Sequence, residues 1–343
     1  MKPSILKGTR DFGPEQVRRR NFIFETIRNV FIKYGFQPIE TPAMENLQTL
    51  TGKYGEEGDK LLFKVLNNGD YLRKANEEAL ESRDSRKLIS SISKRGMRYD
   101  LTVPFARFVV MHQNDITFPF KRYQIQPVWR ADNPQKGRYQ EFYQCDADVV
   151  GSNSLIYEAE LSRMFVEVFE KLGINALVKL NNRKILAGLA EMAGVQDKMM
   201  EMTIALDKLD KIGLDGVKRE LASKGIEGEA QDFVISALER KNLDDLAAIL
   251  KGSEIGEKGI EEMRKIFSLL PPEWKGEKVT FDITLARGLN YYTGCIFEVE
   301  TTDIKIGSVG GGGRYDDLTA VFGLKNVSGV GISFGADRIY DVL

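Results

Sequence analysis

The chain has 343 residues, of which 42% are hydrophobic and 29% are charged, and its formal net charge is −1. These values are ordinary for a globular enzyme, and they argue against a strongly basic protein whose whole surface binds nucleic acid. No apolar run approaches the ~18 residues that a membrane span requires, and no signal peptide opens the chain. We therefore predict a cytoplasmic protein that makes no membrane contact.

The scarcity of histidine and cysteine limits the chemistry. His112 is the only histidine, so a paired-histidine zinc motif is excluded, and its place beside an apolar helix end favours a structural or surface role. The two cysteines, Cys145 and Cys295, lie inside predicted strands without the spacing of a disulfide framework, which fits a reducing compartment. Catalysis is then expected from arginines, carboxylates and tyrosines, with any metal held partly by substrate phosphates.

The first part of the chain is predicted to combine helices with short extended segments. A helix from Pro14 to about Tyr34 carries apolar residues at helical spacing and ends before Gly35. Prolines confine the extended stretch 36–42 to a sheet edge or a bulge. Further elements are a short strand at 61–65, a charged segment at 77–93 that is helical or mobile, a strand or turn at 98–104 and a helix at 104–112.

The most informative stretch is a predicted antiparallel hairpin between residues 118 and 151. Turn-forming residues at 132–137 separate two segments with strand character, and Arg130 and Arg138 bracket this loop. Side chains alternate along the second strand, so an aromatic ring, an amide and two carboxylates share one face. Such a surface can stack a base, hold phosphates and bind a cationic amine. The residues on this face are Phe142, Gln144, Asp146 and Asp148.

The remainder of the chain predicts the fold class. A helix is expected at 154–172, a strand at 176–180 and helices only from 182 to 270, a segment whose net charge is −3. Strands are then expected at 279–283, 291–300 and 304–309, followed by a glycine-rich turn, a helix at 315–322, a strand at 329–333 and a last helix from about 336. This order favours an α+β fold with a mostly antiparallel sheet flanked by helices. We expect residues 1–181 and 271–343 to form one core and residues 182–270 to form an inserted helical module.

Two glycine-rich stretches, at 310–316 and 329–335, leave two interpretations open. Neither matches the phosphate-binding loop or the dinucleotide-binding fingerprint, because the required lysine or glycine spacing is missing. The glycines either allow tight turns and close packing, or they leave bare backbone against which a ligand can lie.

Several blocks are similar to the motifs of class II aminoacyl-tRNA synthetases. Residues 36–42 resemble motif 1, residues 120–142 resemble motif 2, and residues 329–338 resemble motif 3. The blocks 287–294 and 312–316 resemble the two signature peptides of histidyl-tRNA synthetases, and residues 134–139 resemble the motif 2 loop of that family. The match covers nearly the whole chain in the right order, and it implies a class II synthetase fold with an inserted helical module.

One departure from the family raises an alternative. Members usually continue past motif 3 with an anticodon-binding domain, whereas this sequence stops at Leu343. The alternatives are a truncated synthetase or a paralogue such as the regulatory subunit of ATP phosphoribosyltransferase, which shares the fold but does not charge tRNA. The catalytic arginines of the family are all present, which favours the synthetase: Arg130, Arg138, Arg287 and Arg338.

The resemblance implies that L-histidine is activated by ATP to histidyl-adenylate and then transferred to tRNA(His). Arg130 and Arg287 are the expected catalytic residues, on opposite sides of the α-phosphate, and Arg287 stands where other class II enzymes place a metal. Guanidinium groups would stabilise the charge that develops. We expect Mg²⁺ to bind mainly through the ATP phosphates and no metal site made by the protein itself. The expected ATP-binding residues are Arg130, Arg138, Phe142 and Arg338.

By the same resemblance, Asp100 and Thr102 suit the amino group of histidine, and residues of the hairpin and of the first signature peptide surround its ring. A site that hydrogen-bonds both imidazole nitrogens would reject apolar analogues. The full expected histidine-binding set is Asp100, Leu101, Thr102, Arg130, Gln144, Asp148, Arg287, Tyr291 and Tyr292.

The resemblance also implies macromolecular partners. Gln135 and Lys136, in the motif 2 loop, are expected to meet the acceptor end of tRNA, and the helical module is expected to lean on the acceptor stem. Proteins with motif 1 dimerise through that segment, so a homodimer is predicted.

Overall fold

The computed structural model describes residues 2–52, 55–135, 137–240, 242–286 and 291–343. The strands are β1 (Gln37–Pro38), β2 (Met44–Asn46), β3 (Lys64–Val65), β4 (Arg95–Met97), β5 (Phe120–Trp129), β6 (Glu141–Val150), β7 (Ala176–Asn182), β8 (Val279–Phe281), β9 (Cys295–Thr301), β10 (Ser308–Tyr315) and β11 (Gly329–Gly335). The helices are α1 (Pro14–Lys33), α2 (Leu47–Leu50), α3 (Gly55–Lys60), α4 (Glu77–Glu81), α5 (Ser85–Ile92), α6 (Thr102–Met111), α7 (Ile156–Leu172), α8 (Arg183–Met192), α9 (Met199–Leu206), α10 (Leu209–Ser223), α11 (Gly228–Leu238), α12 (Leu243–Ile249), α13 (Glu254–Ser268) and α14 (Ala336–Val342).

One large sheet organises the described residues. Its strand order is β1-β5-β6-β11-β10-β9-β7-β8, and the pairs from β5 through to β7 are antiparallel, whereas β1 and β8 pair in parallel at the two edges. The prediction of a mostly antiparallel sheet flanked by helices is confirmed. The edge position of β1 agrees with its proline, which cannot donate a hydrogen bond to a second neighbour. A small sheet, β2-β4-β3, lies apart from the large one.

Helices α1 and α7 cover one face of the large sheet. Pro14 begins α1, and its buried residues recur at helical spacing, as the sequence predicts. The rings of Phe31 and Phe165 both lie against Phe334 of β11, with centroids 5.9 and 4.7 Å away. Gly173 ends α7 in the left-handed conformation, which glycine adopts without steric cost. Among the residues described, no helix is long and apolar enough to cross a membrane.

The glycine-rich segment differs from its prediction. Residues 310–313 lie inside β10 and pair with both β9 and β11, so the predicted turn there is wrong, as is the predicted strand at 304–309. The predicted helix at 315–322 is only a short 3₁₀ turn at Leu318–Phe322, and β9 begins at Cys295 rather than at 291. Glycine has no side chain to show alternation, so hydrophobic periodicity cannot reveal such a strand.

Between β7 and β8 the chain forms the helices α8 to α13. Two of these helices pack closely against each other, because an added Cβ at Gly188 of α8 would lie 2.5 Å from the Cα of Gly256 in α13. Glu262 of α13 is buried and accepts a hydrogen bond from Asn182 of β7 at 2.8 Å. The apolar side chains of this segment and of the sheet form one continuous core. The domain boundaries at 182 and 270 remain a prediction.

Candidate active site

The hairpin of β5 and β6 presents two chemically different faces. Cys145, Ala147 and Val149 point into the apolar core, and burial raises the pKa of the Cys145 thiol well above its usual value. The alternate side chains, among them Gln144 and Asp148, line cavities on the opposite side. The alternation predicted from the sequence is therefore present in the structure.

Two adjoining cavities lie on this face of the sheet. The inner cavity has a volume of about 40 Å³, and the outer cavity, which opens to solvent, has about 520 Å³. Arg130, Gln144 and Tyr292 line both. The inner cavity brings together most of the predicted histidine-binding residues, namely Asp100, Thr102, Arg130, Gln144, Asp148, Tyr291 and Tyr292. The outer cavity brings together the predicted ATP-binding residues, namely Arg130, Arg138, Phe142 and Arg338.

Asp100 lies at one wall of the inner cavity, directly before α6. It is buried, and its carboxylate accepts a hydrogen bond from the backbone N–H of Val103 at 3.1 Å and one from the hydroxyl of Tyr291 at 3.4 Å. The ring of Tyr291 stands edge-on to that of Tyr292, with centroids 5.0 Å apart. Burial, followed by the charges of nearby aspartates, raises the pKa of Tyr292, so this hydroxyl stays protonated.

Asp148 is fixed by two neighbours at the floor of the inner cavity. The guanidinium of Arg122, which is fully buried, lies 2.7 Å from its carboxylate, and the hydroxyl of Tyr315 donates to it at 2.6 Å. Arg122 stands directly opposite Asp148 in the β5–β6 register, and its charge lies over the ring of Phe105 at 4.2 Å. Neither Arg122 nor Tyr315 was among the predicted site residues.

Asp146 is a third carboxylate in the inner cavity, and the predicted site omitted it. Its place on the polar face of the hairpin was the signal that could have found it. Burial raises the pKa of both Asp146 and Asp148, and the positive charge of Arg122 opposes the rise. Within the described residues, Oδ1 of Asp146 and Oε1 of Gln144 are buried without a hydrogen-bond partner. The cavity thus contains two buried acceptor atoms with which a bound donor could pair.

Arg130 stands where the two cavities meet. Its Nε donates to the carbonyl of Tyr99 at 3.0 Å, and its guanidinium lies over the rings of Tyr99 and Phe142, at 4.2 and 5.1 Å from their centroids. These contacts hold the planar group at a fixed angle. A guanidinium held in this way can stabilise developing negative charge without reorganising.

The outer cavity is lined by two further arginines. Arg338, at the start of α14, donates from Nε to the carbonyl of Gly137 at 2.8 Å and from Nη1 to that of Ser308 at 2.6 Å. Arg138 is half exposed, with Asp132 3.5 Å away. One arginine is thus anchored to the backbone, and the other remains accessible to a ligand from solvent.

The glycines of β10 and β11 have two roles: some allow close packing, and others expose backbone to the cavities. An added Cβ at Gly310 would lie 2.7 Å from the ring of Phe165, and one at Gly313 would lie 2.6 Å from the ring of Tyr292. An added Cβ at Gly331 would overlap the carboxylate of Asp148. An added Cβ at Gly311 would lie 3.2 Å from the nearest atom, the carbonyl oxygen of Phe297. Gly311 lines both cavities. Close packing therefore explains most of these glycines. Gly311 and Gly335 offer bare backbone, and at Gly335 the atom nearest to an added Cβ is 3.5 Å away.

Some predicted site residues are not placed in the cavities. Arg287 and Lys136 lie outside the described residues. Leu101 lines neither cavity, since its side chain is fully buried, and its carbonyl accepts from Arg122. Gln135 also lines neither, and its backbone pairs with Arg138. His112 is partly exposed beside Asp115, as expected of a surface role.

Known proteins of one family match this chain. A family model for histidyl-tRNA synthetase matches residues 69–339. The histidine–tRNA ligases of Christiangramia forsetii and Phocaeicola vulgatus are each 60% identical to the whole chain, which spans 77% and 76% of their lengths. The structure of histidyl-tRNA synthetase from Nostoc sp. PCC 7120 matches with a TM-score of 0.83 and 30% identity, over 99% of this chain and 75% of that one.

The regulatory-subunit alternative is not favoured. A protein from Bacillus halodurans C, described as an ATP phosphoribosyltransferase regulatory subunit/histidyl-tRNA synthetase, matches with a TM-score of 0.81, but its identity of 22% shows only a shared fold. The ligases named above are 60% identical over the full chain. The chain therefore belongs to the histidyl-tRNA synthetase family, as an aminoacyl-tRNA synthetase that ligates histidine to tRNA.

Proposed function

We propose that histidine binds in the inner cavity and ATP in the outer one, and that Arg130 acts on both. The observation that carries this proposal is the shared wall. A small cavity lined by three aspartates adjoins a larger cavity lined by arginines, and Arg130 lines both. An amino acid carboxylate and an α-phosphate could therefore meet beside a single guanidinium.

The carboxylates and the buried unpaired acceptor atoms of the inner cavity suit histidine. Its ammonium carries three N–H donors, and its imidazole carries at least one more. Asp100, beside Thr102 at the start of α6, would accept from the ammonium. Gln144, Asp146 and Asp148 would accept from the ring. Because several of these atoms are buried, an apolar analogue would leave them unpaired, and each such loss costs about 1–3 kcal/mol.

The outer cavity suits ATP. The ring of Phe142 and the guanidinium of Arg338 would flank the adenine, and Arg138 together with Arg338 would reach the terminal phosphate. Arg287, the second catalytic arginine expected from the family, would complete the arrangement from the opposite side of the α-phosphate. Stacking on one aromatic ring contributes about 1–3 kcal/mol per base.

Magnesium would be held mainly by ATP. Among the described residues, no group of three or more acidic, histidine or cysteine side chains is arranged to hold a metal ion, whereas Glu298 lines the outer cavity with one carboxylate. This donor set fits an ion that takes most of its ligands from phosphates and water. When bound, magnesium would neutralise charge on the leaving pyrophosphate.

The reaction proceeds in two displacements. A carboxylate oxygen of histidine attacks the α-phosphorus, the bond to the bridging oxygen breaks, and pyrophosphate leaves. The terminal ribose hydroxyl of tRNA(His) then attacks the activated carbonyl carbon, and AMP leaves. Arg130 would stabilise the charge that builds on phosphorus in the first step, which preorganised donors do most effectively in a site shielded from water.

Larger partners complete the proposal. Gln135 and Lys136 would meet the acceptor end of tRNA, and the helical segment 182–270 would approach the acceptor stem. Two copies of the chain would associate through the region around β1, giving a homodimer. Sedimentation at micromolar concentration tests this last point, and a monomer would contradict it.

The direct test is exchange between ATP and labelled pyrophosphate, with each amino acid supplied singly. We expect exchange with histidine alone, because only histidine supplies both an ammonium and a ring donor of the right size. Exchange with another amino acid at a comparable rate would refute the assignment of the inner cavity. Absence of exchange from folded protein would refute the proposal for this chain.

A further inference from the structure

We infer that the N-terminal loop, residues 6–12, holds the hairpin loop, residues 132–135 and 137–140, in the geometry that ATP requires, with Arg10 as the positioning residue. This inference rests on the proposed ATP site. The N-terminal loop lines neither cavity, so any effect on ATP binding would pass through the hairpin loop or through Asp337, which lines the outer cavity.

A backbone contact joins the two loops. The N–H of Gln140 donates to the carbonyl of Gly8 at 2.8 Å, and the carbonyl of Gln140 accepts from the N–H of Arg130 at 3.0 Å. The backbone of Gln140 therefore connects the N-terminal loop to Arg130, the arginine that lines both cavities. Gly8 has a φ of +87°, and an added Cβ there would lie 2.7 Å from Gln140 and 2.9 Å from Pro134. Only glycine allows this approach.

Arg10 adds a side-chain contact on the outer side of the hairpin loop. Its guanidinium lies 3.3 Å from the ring centroid of Tyr139, pairs with Asp337 and lies 3.9 Å from Asp341. The hydroxyl of Tyr139 donates to Asp341 at 2.8 Å. Ring, guanidinium and two carboxylates thus fix residue 139, which directly follows Arg138. Cation–π and ionic contacts reinforce each other here because Arg10 is largely buried.

Asp337 connects this cluster to the cavity. It also pairs with Arg20 of α1 at 2.5 Å and accepts from the N–H of Tyr143 at 2.8 Å. The next residue, Arg338, holds the carbonyl of Gly137 from the cavity side. The hairpin loop is thus held by Arg338 on its inner side and by Arg10 on its outer side. Without Arg10 the loop would have to be ordered by ATP itself, and that ordering would weaken binding.

The test compares Arg10→Ala with Arg19→Ala. Arg19 is a matched control, because it forms an exposed ion pair with Glu15 at 2.6 Å on α1 and lines neither cavity. Two quantities are measured for each protein. The first is the pair of KM values for ATP and histidine in pyrophosphate exchange, and the second is hydrogen–deuterium exchange of peptides that contain Gln140, without ligands.

For Arg10→Ala we expect the KM for ATP to rise about fivefold or more, the size that a lost contact of about 1 kcal/mol produces, while the KM for histidine changes less than about twofold. The amide of Gln140 should exchange faster, and Arg19→Ala should match wild type in every measurement. An unchanged KM for ATP with unchanged amide exchange would overturn the inference, as would an equal rise of both KM values.

The remaining outcomes are also decisive. If Arg10→Ala does not fold, Arg10→Lys keeps the charge near Asp337 but loses the planar stacking on Tyr139, and the same pair of measurements then decides. If wild type shows no histidine-dependent exchange, the proposed function fails. The amide exchange of Gln140 in ligand-free protein then decides alone whether the N-terminal loop orders the hairpin loop.

Discussion

At the residue scale, the buried charges of two aspartates and one arginine dominate the electrostatics of the inner cavity. Asp146 and Asp148 lie close to one buried cation, Arg122, and burial raises the pKa of both carboxyls. Two buried carboxylates with a single buried partner are electrostatically unfavourable, so a ligand with positive charge or N–H donors would relieve the cost. The proposed histidine site would therefore suit a cationic amino acid that carries several N–H donors.

The carboxylate of Asp148 provides the first prediction. We expect Asp148→Asn to raise the KM for histidine about 10- to 100-fold, because a hydrogen bond to a charged group contributes about 1.5–3 kcal/mol. The KM for ATP should stay within about twofold, since the side chain lines only the inner cavity. Pyrophosphate exchange at varied histidine and varied ATP measures both constants.

The matched control for that variant is Glu45→Gln. Glu45 is also buried and also paired with an arginine, Arg107 at 2.8 Å, but it lines neither cavity. The Glu45→Gln variant should leave the KM for histidine unchanged. An equal rise of the two KM values in Asp148→Asn would show that Asp148 acts on the whole site rather than on the histidine ring.

The residues of the site were only partly predictable from the sequence. Alternation along β6 placed Gln144 and Asp148 on one face, and the family resemblance added Asp100. Arg122 and Tyr315 were not predicted, because their contacts with Asp148 depend on the register of β5 and β6 and on how β10 and β11 pack beside β6. Neither feature leaves a local pattern in the sequence. Asp146 shared the predicted face, but the resemblance gave it no role.

At the element scale, the glycine strand β10 determines the shape of the cavities. Its predicted turn was wrong because four consecutive glycines carry no periodic signal, whereas α1 and α7 were predictable from periodicity and from terminal proline or glycine. In the register, Gly311 stands opposite Ser333, and Gly313 stands opposite Gly331. Gly311 and Ser333 line both cavities, so a larger side chain at Gly311 would fill space that the proposed ligands need.

Two glycine variants separate packing from binding. Gly312→Ala would overlap the carbonyl oxygen of Gly331, and we expect it to lower the free energy of unfolding by about 1–3 kcal/mol. Gly311→Ala would extend a methyl group toward the cavities, so we expect a smaller loss of stability and a rise in the KM for ATP or histidine. Urea unfolding and pyrophosphate exchange measure the two effects. Equal destabilisation by both variants with unchanged KM for Gly311→Ala would contradict this division.

At the scale of the whole molecule, the helical segment and the sheet share one core. Besides the contact of Glu262 with Asn182, the guanidinium of Arg163 in α7 donates to the carbonyl of Leu269 at 2.8 Å. The sequence predicted a helical segment between strands from its periodicity. It could not show how tightly that segment packs, since contacts distant along the chain leave no local pattern.

The continuous core leads to a prediction for unfolding. We expect the chain to unfold in one calorimetric transition, because separating the helical segment from the sheet would expose apolar side chains of both. Scanning calorimetry checks this, with circular dichroism and tryptophan fluorescence followed over the same temperatures. Two resolved transitions would show that residues 182–270 form an independent folding unit.

If histidine and ATP bind in adjoining cavities beside Arg130, a single molecule that joins the two should span both cavities. The most direct measurement uses a non-hydrolysable analogue of histidyl-adenylate in competition with labelled histidine and labelled ATP. We predict that the analogue binds once per chain and displaces both ligands. Displacement of ATP with histidine still bound, or of histidine with ATP still bound, would contradict it.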